Sequence, residues 1–405
     1  MDEEDSDMSD SDEDDRSEQA LLLLAVAYEG FLATRADAVF HQRVLWNRHV
    51  ETLQADGTFN RTYRMPLQQF NKLLGLLRPH IGVDIQHSTS RTGVMSISPE
   101  IILHCVVRWL AGGSYLDIRN IAKISVPSFY RVLWVGIGAI RKCDALAFSF
   151  PRDPVSARSM ASNFAKASSF RVLRGCVGCL DGMLCRIKTH PRSDTRAARF
   201  YHSGHYHAMG VNIQAVCDHL CRFTCICVAA PGAASDVTAF GRTQLKMWLP
   251  ELPIGYYVIA DNAYVPTEHL ITPFSGSQKD NADHDSYNYY VSQLRIKIEQ
   301  AFGLMTTKWR ILRTPLHVKL ENVGAVVLAI ARLHNFCISE RPDVELAEPV
   351  EPLNVSGGER GFLPSDPLPV DIPGLSVLRG RIVRHIASNG LVRPKHNLNR
   401  NNGSS

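Results

Sequence analysis

No run of eighteen or more apolar residues occurs in this chain of 405 residues, so the sequence offers no span for a membrane. The apolar stretch "LLLLAVAYEGFLA" (21–33) is too short to cross a bilayer, and acid rather than base precedes it. A secretory leader starts basic, so none is expected. No glycine-rich phosphate loop and no Ser-His-Asp arrangement stands out, which leaves nucleotide cradling and serine hydrolysis without support. Cysteine is not scarce. The ten thiols, clustered mainly between Cys176 and Cys227, read as reduced side chains of an intracellular protein.

Charge is present but unevenly placed. The net charge is only +4, yet residues 1–18 hold eleven acids and one arginine. The remainder keeps 43 basic and 29 acidic residues, a formal +14. The acidic tip (1–20) has too little apolar surface to build a core and is expected to be disordered. A body at +14 points to a polyanionic partner, nucleic acid first among them.

From 21 to 145 the apolar spacing is helical. "MPLQQFNKLLGLLRPHI" (65–81) repeats Phe70, Leu73, Leu74 and Leu77 at helical intervals. "SPEIILHCVVRWLAGG" (98–113) begins on Ser-Pro-Glu and stops at paired glycines. Ser114 with Asp117, and then Ser125, supply caps for two further helices. Three helices on tight turns over 98–141 fit a helix-turn-helix, and equally a helical hairpin that only packs. Arg131, Arg141 and Lys142 are its candidate DNA contacts, with Lys308 and Arg310 as further ones downstream. Residues 146–175, with prolines and serines, read as a connector.

After Gly175 the period changes to that of strands. Runs at 176–188, 207–218 and 222–230 suggest three neighbouring antiparallel strands. A helix over 235–250, a strand over 256–261, a polar loop, and long helices over 292–313 and 321–340 follow. The tail 341–405 is rich in Pro, Gly and Asn and reads as loose, apart from a short helix near 374–388. The expected fold class is α/β: an RNase H-like core over 176–340 behind an all-helical N-terminal domain. In that order of elements the first and fourth strands lie side by side.

Asp181 then sits inside the first strand, Asp261 ends its neighbour, and Glu299 lies on the long helix among Ile296, Ile298, Ala301 and Phe302. A carboxylate inside a strand is costly without a partner. Asp261, in "YYVIADNAYVP", is either a common turn former or a metal ligand. Three converging carboxylates suit magnesium or manganese, and two such ions cleave phosphodiesters. The cysteines, including Cys176-x-x-Cys179, Cys225 and Cys227, also admit a zinc reading. However, alternation on a strand puts Cys176 and Cys179 on opposite faces, so buried thiols fit better. His202, His205 and His207 could contact DNA or a metal, and fit better as lining a polar approach to the second strand.

The stretches "GCVGCLDGMLCRI", "YHSGHYHAMGVNIQAVCD", "APGAASDVTAFGRT", "ADNAYVPTEHLITPF" and "LRIKIEQAFGLMTTKWRIL", followed by "LHNFCI", resemble a PIF/Harbinger-type transposase, or a nuclease derived from one, with a DDE domain. The resemblance covers about 170–340 and extends weakly into the helical half. It implies a metal-dependent DNA endonuclease or transposase. Asp181, Asp261 and Glu299 would be its catalytic ligands, Arg295 a supporting residue, and two Mg2+ or Mn2+ ions its cofactor. It also draws Asp236 into the metal site, where a helix N-cap is the plainer role. It further implies DNA as substrate, a homodimer, a separate Myb-like DNA-binding partner and a nuclear site of action, with the cytoplasm as second compartment. The chain departs from the family pattern at Met183, at His205 and in Asp261-Asn262-Ala263-Tyr264. Two further readings stay open: a domesticated, non-catalytic DNA-binding or chromatin protein that keeps the fold, and a helical interaction protein using 20–145.

Overall fold

The computed structural model describes residues 43–82, 96–188, 198–341 and 376–394. The expectations for the acidic tip, for 21–42 and for most of the tail lie outside these residues. The helical half contains α1 (Trp46–Ala55), α2 (Phe59–Tyr63), α3 (Leu67–Leu77), α4 (Pro99–Leu110), α5 (Tyr115–Ala122) and α6 (Val126–Lys142). α3 buries Phe70, Leu73, Leu74 and Leu77, the four residues its spacing nominates. Ser114 caps α5 by accepting from Leu116 N, and Ser125 caps α6 by accepting from Ser128 N, each at 3.3 Å. Arg131, Arg141 and Lys142 are exposed on α6.

The supposed connector at 146–175 instead contains α7 (Pro154–Ala167). Asp153 starts it by accepting from Val155 N at 3.0 Å and Ser156 N at 2.9 Å, with Pro154 in the first turn. Asp-Pro ahead of small residues is a helix start that the serines obscure. α7 packs Ala157 and Ala161 against β1 (Cys176–Arg186).

Five further strands follow: β2 (His202–Ser203), β3 (Ala208–Cys217), β4 (Phe223–Pro231), β5 (Tyr257–Ile259) and β6 (Leu270–Ile271). The sheet runs β4-β3-β1-β5-β6, with β2 beside the start of β3. β3 is antiparallel to both of its neighbours, β1 and β4, whereas β5 and β6 run parallel to β1. The helix expected over 235–250 is two short ones, α8 (Asp236–Phe240) and α9 (Leu245–Trp248), broken at Gly241. α10 (Ala282–Lys308) starts ten residues before the 292 boundary, inside the supposed polar loop. Asn281 caps it, accepting from Asp283 N and His284 N.

α11 (Leu320–Ser339) is apolar and long enough to cross a membrane by composition. Here it is a core helix between α6 and β4. Its Arg332 donates to Ile140 O and Cys143 O at the end of α6, and its Asn335 exchanges two hydrogen bonds of 2.7 Å with the backbone of Phe223. One apolar core therefore runs from α1 through α6 into the sheet and α10, so the helical half does not stand apart.

α12 (Val377–Ser388) matches the short helix expected near 374–388 and lies on α10. Buried Glu268 accepts from Val377 N and Leu378 N, and the Arg379 guanidinium stacks 3.5 Å from the Phe274 ring centre. A carboxylate on a helix N-terminus is favourable by ~0.3–1 kcal/mol at the surface, and more where water is excluded. Glu268→Ala is expected to free the 376–394 segment without unfolding the sheet. Amide exchange there should quicken while exchange in β1 and β3 stays slow. Unchanged exchange over 377–388 would show that packing alone holds α12.

Candidate active site

Strand register brings the first two aspartates together. β1 and β5 are paired in parallel as far as Cys179 with Ile259. Asp181 and Asp261 each follow two residues later, at matching heights on adjacent strands. Asp181 is half-buried on the face of β1 that α10 covers. Its Oδ1 accepts from the neighbouring Gly182 N at 2.8 Å. Burial pushes its carboxyl up to about 6; the charges of Asp261 and Asp236 add to the rise, while the Gly182 N–H and the Arg295 guanidinium oppose it.

Asp236 arrives from the other face. It is the first residue of α8 and not its cap, because Ser235 accepts from Thr238 N. Its Oδ1 accepts from Asn212 Nδ2 at 3.1 Å and Gln214 Nε2 at 3.0 Å. Gln214 in turn accepts from the buried Tyr264 hydroxyl at 2.7 Å and donates to Asn212 Oδ1 at 2.8 Å. Only glycine fits at 182: a Cβ there would lie 2.2 Å from Asp236 Oδ1. Sequence reasoning missed Asn212, Gln214 and Tyr264. The signal was two amides at alternating positions in an otherwise apolar strand, both aimed at one face.

Asp261 forms the turn that the bland reading assigned to it. Its Oδ1 accepts from Ala263 N at 2.9 Å, the bond of an Asx turn. The choice between turn former and ligand was therefore false. One oxygen shapes the turn, and Oδ2 of each of the three aspartates makes no hydrogen bond among the described residues. Asp181, Asp236 and Asp261 line one cleft of about 490 Å³ together with Gly182, Ser203, His205 and Tyr206. His205 and Tyr206 form its rim, with ring centres 4.6 Å apart and edge to face. His202 lies outside it, on β2.

Glu299 does not join them. It is exposed on α10, and Arg295 Nη1 holds its Oε1 at 2.7 Å one turn away. The apolar residues next to it in sequence do not surround it in space, because each step along a helix turns ~100°. Ile298 and Ala301 point into the core, and Ile296 is itself 46% exposed. Arg295 is thus paired with Glu299, and its charge is also felt by Asp181.

The three aspartates offer only hard oxygen donors, which fits magnesium or manganese. Asp181, burdened by its neighbours' charge, would be relieved by a cation. As they stand, no group of three or more His, Cys, Asp or Glu among the described residues converges closely enough to grip one. The cysteines form no such group for zinc either. All ten cysteines are free thiols, and nine are buried. Their alternation was nonetheless misread: a bulge in β1 between Cys176 and Gly178 puts Cys176 and Cys179 into the same core.

The candidate DNA contacts fall in two places. Arg131, Arg141 and Lys142 are on the outer side of α6, while Lys308 and Arg310 line a second cleft at the far end of α10. Comparisons with curated proteins and with solved structures returned no match. Over residues 180–335, the segment that carries Asp181, Asp236, Asp261 and Glu299, the chain matches the model of the DDE superfamily endonuclease and is in that part similar to transposase-derived nucleases.

Proposed function

We propose that this protein is a metal-dependent DNA endonuclease or transposase of the PIF/Harbinger type, with an RNase H-like core and a helix-turn-helix-like unit over 98–141. The observation that carries the reading is the meeting of Asp181 and Asp261 on adjacent parallel strands, with Asp236 entering over Gly182. Asp181, Asp261 and Asp236 would hold Mg2+ or Mn2+, and Glu299 would complete the set once its pair with Arg295 opens. When bound, two such ions activate the attacking oxygen and stabilise the leaving one. Gly182 N–H orients Asp181, the Asx turn orients Asp261, and the two amides orient Asp236. The +14 body supplies the attraction for phosphates.

Cleavage of supercoiled plasmid with and without manganese tests the reading: nicked or linear product that requires the metal is expected. The same proposal carries a nuclear site of action, a homodimer and a separate Myb-like partner. The exposed α6 cations are assigned to DNA. Neutralising Arg131, Arg141 and Lys142 together should weaken duplex binding about tenfold with the melting temperature kept. Unchanged affinity would reduce 98–141 to a packing unit. One observation favours a second reading, a domesticated non-catalytic DNA-binding protein: the fourth carboxylate, Glu299, faces solvent and is neutralised by Arg295.

A further inference from the structure

A second cleft, of about 390 Å³, opens where the helical half meets the ends of α10 and α11. Arg64, Lys308, Arg310 and Arg341 line it, with Asn60 and Thr307 between them and no carboxylate. Three further arginines, Arg61, Arg108 and Arg313, act on Arg64 from nearby. Burial first, then the positive charge of Arg310, Arg108, Arg61 and Arg313, lowers the pKa of the Arg64 guanidinium, which nevertheless stays charged.

Helix geometry alone does not call for so many cations. Basic residues commonly settle at helix C-termini, and both α10 and α11 end here. Two helix ends together present a charge of about −1. Four cations line the cleft and three more act on Arg64 from nearby, and none of the seven forms an ion pair among the described residues. Nε of Arg64 and Nε of Arg108 are buried without a hydrogen-bond partner. Arg64 is also held in the left-handed region at φ 61, at the end of α2, a conformation that side chains other than glycine seldom adopt. Arg310 is fixed from the other side. Gly112, at φ 93 in the turn between α4 and α5, lies so close that a Cβ there would be 3.0 Å from the Arg310 Cβ. Both halves of the molecule thus contribute to the cleft.

We propose that this cleft binds the phosphodiester backbone of DNA, as a second anchoring point separate from the carboxylate site. The inference rests on the DNA-acting reading above. Arginine forks and amide and hydroxyl donors without a competing carboxylate are the chemistry that recognises phosphate oxygens. The cleft lies ~20 Å along α10 from Arg295, at ~1.5 Å of rise per residue. A duplex held there is therefore anchored well away from the carboxylates, through backbone contacts that read no sequence.

The test compares the wild type with the K308Q/R310Q/R341Q triple variant, in metal-free buffer, by fluorescence anisotropy on a labelled duplex. The triple variant is expected to bind at least tenfold more weakly. Its dependence of log K on log salt should be shallower by ~2–3, since each lost phosphate contact removes ~0.9. R158Q/K246Q/R384Q, an equal loss of charge on other elements, should change affinity less than threefold. K308R/R310K/R341K, which keeps the charge but exchanges the two guanidinium forks for ammonium groups, should bind between the glutamine variant and the wild type. An unchanged melting temperature of the glutamine variant shows that its loss is not misfolding. Sodium triphosphate serves as the free-anion probe. If triphosphate binding is lost in the triple variant while duplex affinity is kept, the cleft takes a free polyphosphate and the proposal falls. It also falls if both neutralised triples weaken DNA binding equally, or if the salt slope is unchanged. Because no metal is present, a protein that binds DNA here but never cuts it contradicts the nuclease reading alone. A wild type that binds no duplex contradicts both.

Discussion

Asp181→Asn and Asp261→Asn are each expected to lower manganese-dependent plasmid cleavage by ~10³-fold or more. A carboxylate that offsets a bound cation contributes several kcal/mol to the transition state, and each ~1.36 kcal/mol is a factor of ten. The Asp261 substitution separates geometry from charge. An asparagine keeps the Asx bond to Ala263 N, so the turn after β5 survives and only the negative charge is lost. Cleavage at near wild-type rate by Asp261→Asn would reduce this residue to its turn and remove the metal-dependent reading.

Stability should move the opposite way. The folded carboxyl of Asp181 titrates at about 6, above its unfolded value of ~3.9, so folding binds a proton between those limits. Ionised Asp181 therefore opposes folding as pH rises through that window, and the penalty is complete above about 6. Asp181→Asn should melt higher than wild type at pH 7.5 without metal, and the gap should close below pH ~4. Added manganese should stabilise the wild type and not the variant. A variant that melts lower than wild type at pH 7.5 would show that the carboxylate is satisfied as it stands. In that case no cation is needed to relieve it.

The site was legible in the sequence where backbone pattern decides it, and illegible where packing does. An apolar run ending on Asp261, and Asp181 inside another, state the strand pairing almost directly, because parallel register leaves few ways to align them. The apolar surroundings expected for Glu299 did not follow, because sequence neighbours on a helix are not spatial neighbours and a glutamate among isoleucines still points outward. Alternation failed for Cys176 and Cys179 because one bulged residue reverses the face of everything beyond it, and Gly178 beside it was the one mark of the bulge in the sequence. The polar start of α10 and the serine-rich α7 hid their helices behind turn-forming composition, although Asn281 and Asp153 were visible as caps. The basic cleft was half visible. Lys308 and Arg310 stood out as charges, but Arg64 and Arg341 join them only through the fold.

Gly182→Ala should show how tightly the third aspartate is built in. The added methyl falls 2.2 Å from Asp236 Oδ1 and 2.8 Å from Gln214 Nε2, so the carboxylate has to leave its place over β1. Its departure removes the shared acceptor of Asn212 Nδ2 and Gln214 Nε2. Each amide keeps a second acceptor, Ala234 O at 3.4 Å and Asn212 Oδ1 at 2.8 Å, so neither donor is wholly stranded. The expected cost is therefore ~1–3 kcal/mol, the range for disturbing one buried polar contact. Cleavage should fall ~10–100-fold, as when a supporting contact to a metal ligand is lost. A double-mutant cycle identifies the cause. In an Asp236→Ala background the carboxylate is gone, so Gly182→Ala should destabilise by less than half as much as in the wild type. An equal cost in both backgrounds would place the clash on Gln214 or on the β1 backbone. Glycine at 182 would then serve the sheet, and the position of Asp236 in the cleft would not depend on it.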